Sequence, residues 1–385
     1  MGGAVRDALL SRTRAVIDID LVVPVDAVEL ARDISRDYKS GFVMLDAERS
    51  IARLVFDGMT VDFAQQMGGS LAADLHRRDY RMNAIAYHLK DQRLIDPLNG
   101  HGDLQAKLVR MVSAQNLADD PLRLLRGYRQ AAQLGFEIEA KTARTIEALA
   151  PRLNTVAAER AMTELRYLLA VSHQDPRVLI AAVELIQVWL PRIQRETLAS
   201  ELQAITAALK LIESQVPQLW QELNIPLRPT LPTTVADITL FCGLLGSLPS
   251  KEILAKLTAS ITEITAINVL QQSTFSPWPA NVVDIFHLFQ ATGKHFPGFI
   301  VLKLAAGWTL AALNPLIDRY FDRQDPLSHP VLLVNGKELM SALNLPPSPA
   351  IGQLLAAIQL GQVRGEIVTK QEAISYARSK VAECK

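Results

Sequence analysis

The sequence predicts an α+β chain: a small mixed α/β unit up to about residue 112, then an all-α remainder of about two thirds of the length. Three observations carry this. Short β-branched runs alternate with helix patterns at the start of the chain. From about Pro121 the apolar residues recur at helical spacing, in Leu-, Ala- and Glu-rich segments halted at Pro151, Pro191, Pro226, Pro232 and Pro249. The 385 residues are 49% hydrophobic, with 40 basic against 40 acidic side chains, so the chain can bury a sizeable core and is too apolar for disorder.

The elements follow in order. Val16 to Val23 reads VIDIDLVV, where a period of two puts Asp18 and Asp20 on one face of a strand and Ile17, Ile19 and Leu21 on the other, until Pro24 ends it. Asp26 to Asp37 is an amphipathic helix with Val28, Ala31 and Ile34 inward. FVML, IARLVF and TVDFA are short strands separated by turn residues at Asp46 to Ser50 and Asp57 to Met59. In the helical part, the Pro- and Thr-rich stretch from Asn224 to Thr234 is the expected linker. The apolar run from Pro297 to Pro315, broken by Lys303, is too short for a bilayer and is expected as one buried helix. Trp189, Trp220, Trp278 and Trp308 are expected in the core. The chain opens on MGGAVRD without a secretory pattern, and Cys242 and Cys384 are its only thiols, so a reducing, cytoplasmic setting is expected, with one core thiol and one tail thiol. Zero net charge excludes a strong global field for nucleic acid and leaves room for a local basic strip.

Chemistry concentrates in four places. Gly2 and Gly3 precede a helix carrying Arg6, an arrangement that lets backbone amides approach a phosphate, or serves as plain turn chemistry. Asp18 and Asp20 repel each other on one strand face unless cations neutralise them. Mg²⁺ accepts one or two carboxylates plus phosphate oxygens, and a pair of such ions can activate a hydroxyl and stabilise leaving pyrophosphate. Asp62, which also interrupts an apolar strand, is the candidate third carboxylate. Arg77-Arg78-Asp79-Tyr80-Arg81-Met82-Asn83 and Asp96-Pro97-Leu98-Asn99-Gly100 offer arginine forks for phosphate and Asp or Asn for ribose hydroxyls, or form a charged helix face with a turn. His76, His88 and His101 lack metal-ligand spacing.

The fourth place is Asp119-Asp120-Pro121-Leu122-Arg123-Leu124-Leu125-Arg126-Gly127-Tyr128-Arg129. An Asp cap and a Pro at the first position start a helix, and Arg123, Arg126 and Arg129 recur on one broad face. Their mutual repulsion favours an anionic ligand, with a solvated basic face as the alternative. Asp120 and Arg123 together can read a base: the carboxylate accepts from an exocyclic amine while the guanidinium donates beside it. Cytosine and adenine match that pattern and uracil and guanine do not.

In this order, GGAVRD with DID, RRDYRMNAIA, DPLNGHGDL, DDPLRLLRGYRQAAQLGF, and Ala158-Glu159-Arg160 with Glu164-Leu165 resemble the five motifs of the class II tRNA nucleotidyltransferases, the CCA-adding enzymes with their bacterial poly(A) polymerase relatives. The motifs span roughly residues 1 to 170, and VNGKELM with Pro349-Ala350-Ile351-Gly352 resembles the C-terminal element of the family. The resemblance implies a polymerase-β-like nucleotidyltransferase palm over 1–112, an all-α neck that selects the nucleotide over 113–175, and a helical body and tail that bind tRNA over 176–385. It implies Asp18 and Asp20 as Mg²⁺ ligands; Asp62 stays the candidate third catalytic carboxylate on its strand pattern alone. By the resemblance Gly3 and Arg6 would hold the triphosphate, with Arg78 in the ribose and phosphate region, while Asp79 and Asn83 are ribose candidates by their residue types. Asp120 and Arg123 would select CTP and ATP, with Arg126 and Arg129 nearby. Neither a membrane nor a stable protein partner is implied.

Three departures accompany the resemblance. The template begins Asp119-Asp120 where the family has Glu-Asp. The chain starts at the glycines, without the apolar strand residues that usually precede them. The connection between VDFA and RRD is short, as in relatives that add only CC. No Gly-Arg-Arg-Phe type signature of the bacterial poly(A) polymerases follows the catalytic strand, which makes that activity the weaker alternative, alongside a non-catalytic tRNA-binding relative.

Overall fold

The computed structural model describes residues 1–12, 17–173, 175–190, 195–229, 231–246, 248 and 250–383; Val16, Pro191, Pro249 and Cys384 lie outside them. The described chain divides into Met1–Arg195 with Lys256–Thr258, and Glu196–Ala255 with Ala259–Lys385.

In the first unit, helix α1 (Gly3–Leu9) precedes strand β1 (Ile17–Val23), helix α2 (Ala27–Tyr38) and strands β2 (Gly41–Asp46), β3 (Ile51–Phe56) and β4 (Met59–Gln65). The four strands lie in the order β1-β4-β3-β2, with β1 parallel to β4 and the other pairs antiparallel. Alternation sorts the side chains as expected. Ile19, Leu21, Val23, Ala52, Leu54, Val61 and Phe63 pack under Ala27 and Ala31 of α2, whose small side chains let helix and sheet come close. Removing such surface from water is the main stabilising contribution, at about 25 cal/mol per Å². The Asp26 carboxylate caps α2, accepting from the amides of Val28 and Glu29.

The opposite sheet face carries the charges, beside exposed Val43 and Val55. Asp18 aligns with Thr60 and Asp20 with Asp62 across β1 and β4, while Arg53 of β3 aligns with Asp62 from the other side. The two-residue turn Asp57-Gly58, with Gly58 at φ 70°, sets the second register. Asp18 is exposed and Asp20 half-buried, so the carboxylate face is open.

Helices α3 (Leu71–His76), α4 (Gly100–Gln105), α5 (Ala114–Asp119), α6 (Leu122–Leu134), α7 (Ala140–Leu149) and α8 (Ala158–Ser172) follow in the same unit, with short strand pairs between them and two short helices, Arg177–Ala181 and Val183–Ile186, after them. DPLNGHGDL proves architectural: Asp96 accepts from the amides of Gly100 and His101, and a Cβ on Gly100 would lie 2.1 Å from the carbonyl oxygen of Arg81. Only glycine permits that approach. The expected Asp cap of α6 is corrected: Pro121 is the N-cap, with no capping side chain, because Asp120 is bound elsewhere.

Among its described residues the second unit is helical with one short antiparallel strand pair. Pro226–Arg228 and Leu231–Thr234 pair antiparallel where a linker was expected, since proline at a two-strand edge removes no needed donor. Val235–Leu245 follows, buried at every position and started by a Thr234/Asp237 capping box. Cys242 is buried there, as expected. The run from Pro297 to Pro315 is two helices, Phe296–Ala305 and Leu310–Phe321, not one; Gly307 at φ 94° lies in the break. Trp278 and Trp308 stack at 4.1 Å with Trp308 37% exposed, so this pair lies outside the core it was expected to join. Gly336–Leu343, Pro349–Val363 and Lys370–Glu383 share a separate core of Leu339, Ile351, Ile358, Ala373 and Ala377. Among the described residues no single helix is long and apolar enough to cross a membrane; one pair bent by 110°, Val235–Leu245 with Ser250–Lys256, passes that test together.

Candidate active site

The carboxylate sheet face and helix α6 border one cavity of about 350 Å³, lined by Gly2, Gly3, Arg6, Asp18, Asp20, Arg78, Asp79, Asn83, Arg123, Arg126 and Arg129, with Gln130 and Gln133. A second cavity of about 610 Å³ contains Asp119, Asp120, Arg123 and Arg160 and shares Arg78 and Arg123 with the first. The glycine start, the Asp18–Asp20 strand, the Arg78–Asn83 segment and the arginines of α6 thus converge, although Gly2 and Arg129 lie 127 residues apart in the chain, while Asp96 to Gly100 lines neither cavity.

Each carboxylate has a distinct setting. Asp18 accepts from the Thr60 hydroxyl at 2.6 Å. Burial pushes the Asp20 carboxyl up, and the charges of Asp18 and Asp62 push the same way, against the amino terminus and Arg78. A cation between Asp18 and Asp20 removes that penalty, and two carboxylates open to a cavity are a donor set that suits Mg²⁺ with substrate oxygens. Among the described residues no group of three or more His, Cys, Asp or Glu forms a ready-made metal cage. Asp62 is committed differently: Arg53 donates to both its oxygens, Nε at 2.6 Å and Nη2 at 2.8 Å, and Asp62 lines neither cavity.

The arginines do not stand as an unrelieved row. Arg123 donates to the carbonyls of Arg77 and Asn116 at 2.9 and 3.0 Å, Arg126 pairs with Asp79 at 3.1 Å, and Arg129 pairs with Glu164 at 2.7 Å. The expected repulsion is met by acids of the protein, so α6 does not need an anionic ligand to be stable. Burial pulls the Arg123 guanidinium down from its ordinary value, while Asp79 raises that of Arg126. Arg6, 7% exposed, donates to Asn83 at 2.8 Å and pairs with Asp7 at 2.7 Å. Arg78 pairs with Asp74 of α3 at 3.0 Å.

Asp79 and Asn83 are 4% and 6% exposed. Asn83 donates to Asp79 and Gln130, and Asp79 also accepts from the amide of Tyr80. In this conformation the two hold Arg6 and Arg126 in place at the cavity edge. Burial pushes the Asp79 carboxyl up, yet Arg126, Asn83, the Tyr80 amide and Arg123 outweigh it and hold it below the ordinary carboxylate range. Asp120 accepts two hydrogen bonds from Arg160 Nη2, at 3.2 and 2.9 Å, and lies 4.0 Å from Arg123 Nε.

Sequence reasoning assigned no role to Arg53, Asp74, Gln130, Arg160 or Glu164. The Arg53 pairing was present in the residues: a two-residue Asp-Gly turn puts positions 53 and 62 opposite each other. Asp74 lies four residues before Arg78, a local spacing that carries the pair, whereas Gln130, Arg160 and Glu164 meet their partners 47, 40 and 35 residues away and no local spacing encodes them.

A carboxylate pair on a small sheet facing an arginine-lined helix defines a nucleotidyltransferase head, and the comparisons agree. Residues 1–110 match the Poly A polymerase head domain, residues 135–195 the "Probable RNA and SrmB- binding site of polymerase A", and residues 237–377 tRNA nucleotidyltransferase domain 2. Relatives include CC-adding tRNA nucleotidyltransferases of Synechocystis, 41% identical over 98% of this chain and 92% of the relative, and of Geobacter sulfurreducens, 32% identical over 99% and 91%. An A-adding tRNA nucleotidyltransferase of Deinococcus radiodurans is 28% identical over 98% and 94%. The chain belongs to the tRNA nucleotidyltransferase family. Its fold matches a Thermotoga maritima CCA-adding enzyme solved with tRNA, at a TM-score of 0.67 and 20% identity over 99% of this chain and 90% of that one. A CCA-adding enzyme solved with ATP matches at 0.68, 20% identical over 99% and 89%. The polymerase-β-like α+β architecture is therefore established, and the family is one of metal-dependent nucleotidyl transfer.

Proposed function

We propose that this chain extends the 3′ end of tRNA with C, and specifically that it adds CC from CTP, within a family whose members add C, A or both. The carrying observation is that the carboxylates of β1 and the arginines of α6 line the same cavity. Asp18 and Asp20 hold Mg²⁺, which when bound lowers the charge barrier between the tRNA 3′ hydroxyl and the α-phosphorus and stabilises leaving pyrophosphate. Gly3 and Arg6 receive the triphosphate, and Arg78, Arg126 and Arg129 add positive potential around it. Asp79 and Asn83 fix Arg126 and Arg6, and through them the nucleotide, so catalysis is mainly positioning and electrostatics. Asp120 and Arg123 select the base, with ATP as the second nucleotide that pattern accepts. Asp62 belongs to the catalytic face, with its charge paired to Arg53. The helices after residue 176 take the tRNA, and the reaction is a cytoplasmic one.

Support for CC over the complete tail comes from the segment joining β4 to the Arg77-Arg78 turn. It is short, contains only α3, and is pinned where Asp74 accepts from the Met67 amide and pairs with Arg78. A pinned connection opposes re-forming the site around a second kind of nucleotide.

Given Mg²⁺, CTP and a transcript ending before CCA, the protein releases pyrophosphate in step with incorporated C; a folded protein that releases none overturns the reading. Arg123→Ala lowers the preference for CTP over UTP by roughly five- to hundredfold, the range of one lost paired base contact. Unchanged selectivity in single-turnover incorporation contradicts the assignment of Arg123.

A further inference from the structure

We propose that Arg53 is a positioning residue that sets the cation affinity of the Asp18–Asp20 pair by cancelling the charge of Asp62 and withholding its oxygens. The inference rests on the metal reading above. Asp62 stands directly across from Asp20 in the parallel β1–β4 register, on the same sheet face, and would otherwise add a third negative charge at the site. Arg53 reaches it from β3, the other neighbour of β4, and engages both carboxylate oxygens in a fork at 2.6 and 2.8 Å. Bidentate pairing fixes geometry as well as charge, so neither Asp62 oxygen is presented toward the cavity.

Asp62 and Arg53 are 19% and 38% exposed at their side chains, so solvent screens the pair only partly. The Arg53 guanidinium is held above its ordinary value by its hydrogen bonds to Asp62 and by the charges of Asp62, Asp18 and Asp20, so it is electrostatically coupled to the whole carboxylate face. It also lies on the strand next to Asp62 rather than on a mobile loop, which suits a fixed counter-charge.

The sign of the effect separates this role from a merely structural one. Loss of a structural arginine leaves cation binding unchanged or weaker. Loss of a counter-charge strengthens it, because a third carboxylate becomes available beside Asp20. The test is calorimetric titration of Mn²⁺ into nucleotide-free full-length protein, with folding checked by circular dichroism. Arg53→Ala is expected to bind Mn²⁺ roughly three- to tenfold more tightly than the parent, the scale of one partly screened charge at this range. Asp62→Asn, which leaves the guanidinium uncompensated, is expected to bind more weakly, and the double variant to return toward the parent. Arg53→Lys keeps the charge without the fork and should lie between parent and Arg53→Ala. A folded Arg53→Ala protein, or Arg53→Lys if the alanine variant does not fold, that binds Mn²⁺ no more tightly than the parent overturns the proposal and leaves the metal reading standing. A parent protein that binds no Mn²⁺, with Asp20→Asn indistinguishable from it, overturns both.

Discussion

Asp18→Asn and Asp20→Asn proteins are expected to fold as the parent does and to lose nucleotide incorporation by roughly a thousandfold or more, the scale of removing metal-centred charge stabilisation. Both positions tolerate the change structurally. Asp18 is exposed, with Thr60 as its hydrogen-bond partner, and an amide oxygen still accepts that bond. At Asp20 the neutral amide removes a carboxyl whose charged form is already disfavoured by burial and by Asp18 and Asp62, so folding stability at neutral pH is maintained or raised. Melting temperature and primer extension measured on the same samples separate the two effects. Incorporation within tenfold of the parent would remove these carboxylates from the chemistry.

Arg126→Ala carries the second large effect, on stability. Asp79 is 4% exposed and depends on Arg126, 3.1 Å away, for its main counter-charge. Truncating one partner of a buried pair costs about 3–5 kcal/mol; since the Arg126 side chain is 37% exposed, water screens part of it and about 2–3 kcal/mol is the expected loss. The pH dependence has a definite sign. In the parent the folded carboxyl is held below its ordinary value of 3.8, so its stabilising contribution is present above that value and is lost as pH falls through the lower folded value. Without Arg126, burial becomes the dominant influence and the folded carboxyl rises above 3.8; the variant then loses stability as pH climbs through that raised value. Urea unfolding at pH 3.5 and pH 7 should therefore show a larger deficit at pH 7. An equal deficit at both would mean that Arg126 acts through packing alone.

The parts of the molecule that were legible in the sequence are those governed by short-range rules. Period two placed Asp18 and Asp20 together, helical period placed Arg123, Arg126 and Arg129 on one face of α6, and the motif order indicated the family. What escaped is how charge is distributed. The three arginines repel when read along one helix, but Arg126 finds Asp79 and Arg129 finds Glu164, residues 47 and 35 positions away that only the folded chain brings near. Asp79 and Asn83 read equally well as ligands for a ribose, and burial is what commits them to Arg126 and Arg6. The break at Gly307 and the strand pair of Pro226–Arg228 and Leu231–Thr234 escaped for a simpler reason, since apolar runs and proline-rich stretches carry no period that distinguishes one helix from two or a linker from an edge.

On the proposed reading one cavity joins the carboxylate pair to a base-selecting helix, and the segment linking β4 to the Arg77-Arg78 turn limits the product to CC. The most direct measurement offers the folded protein, with Mg²⁺, three transcripts ending before CCA, after C and after CC, each with CTP, ATP or both. Two C residues on the first, one on the second and no addition to the third are expected. Addition of A to the CC-ended transcript, or no incorporation into any of the three, would contradict the proposed reading.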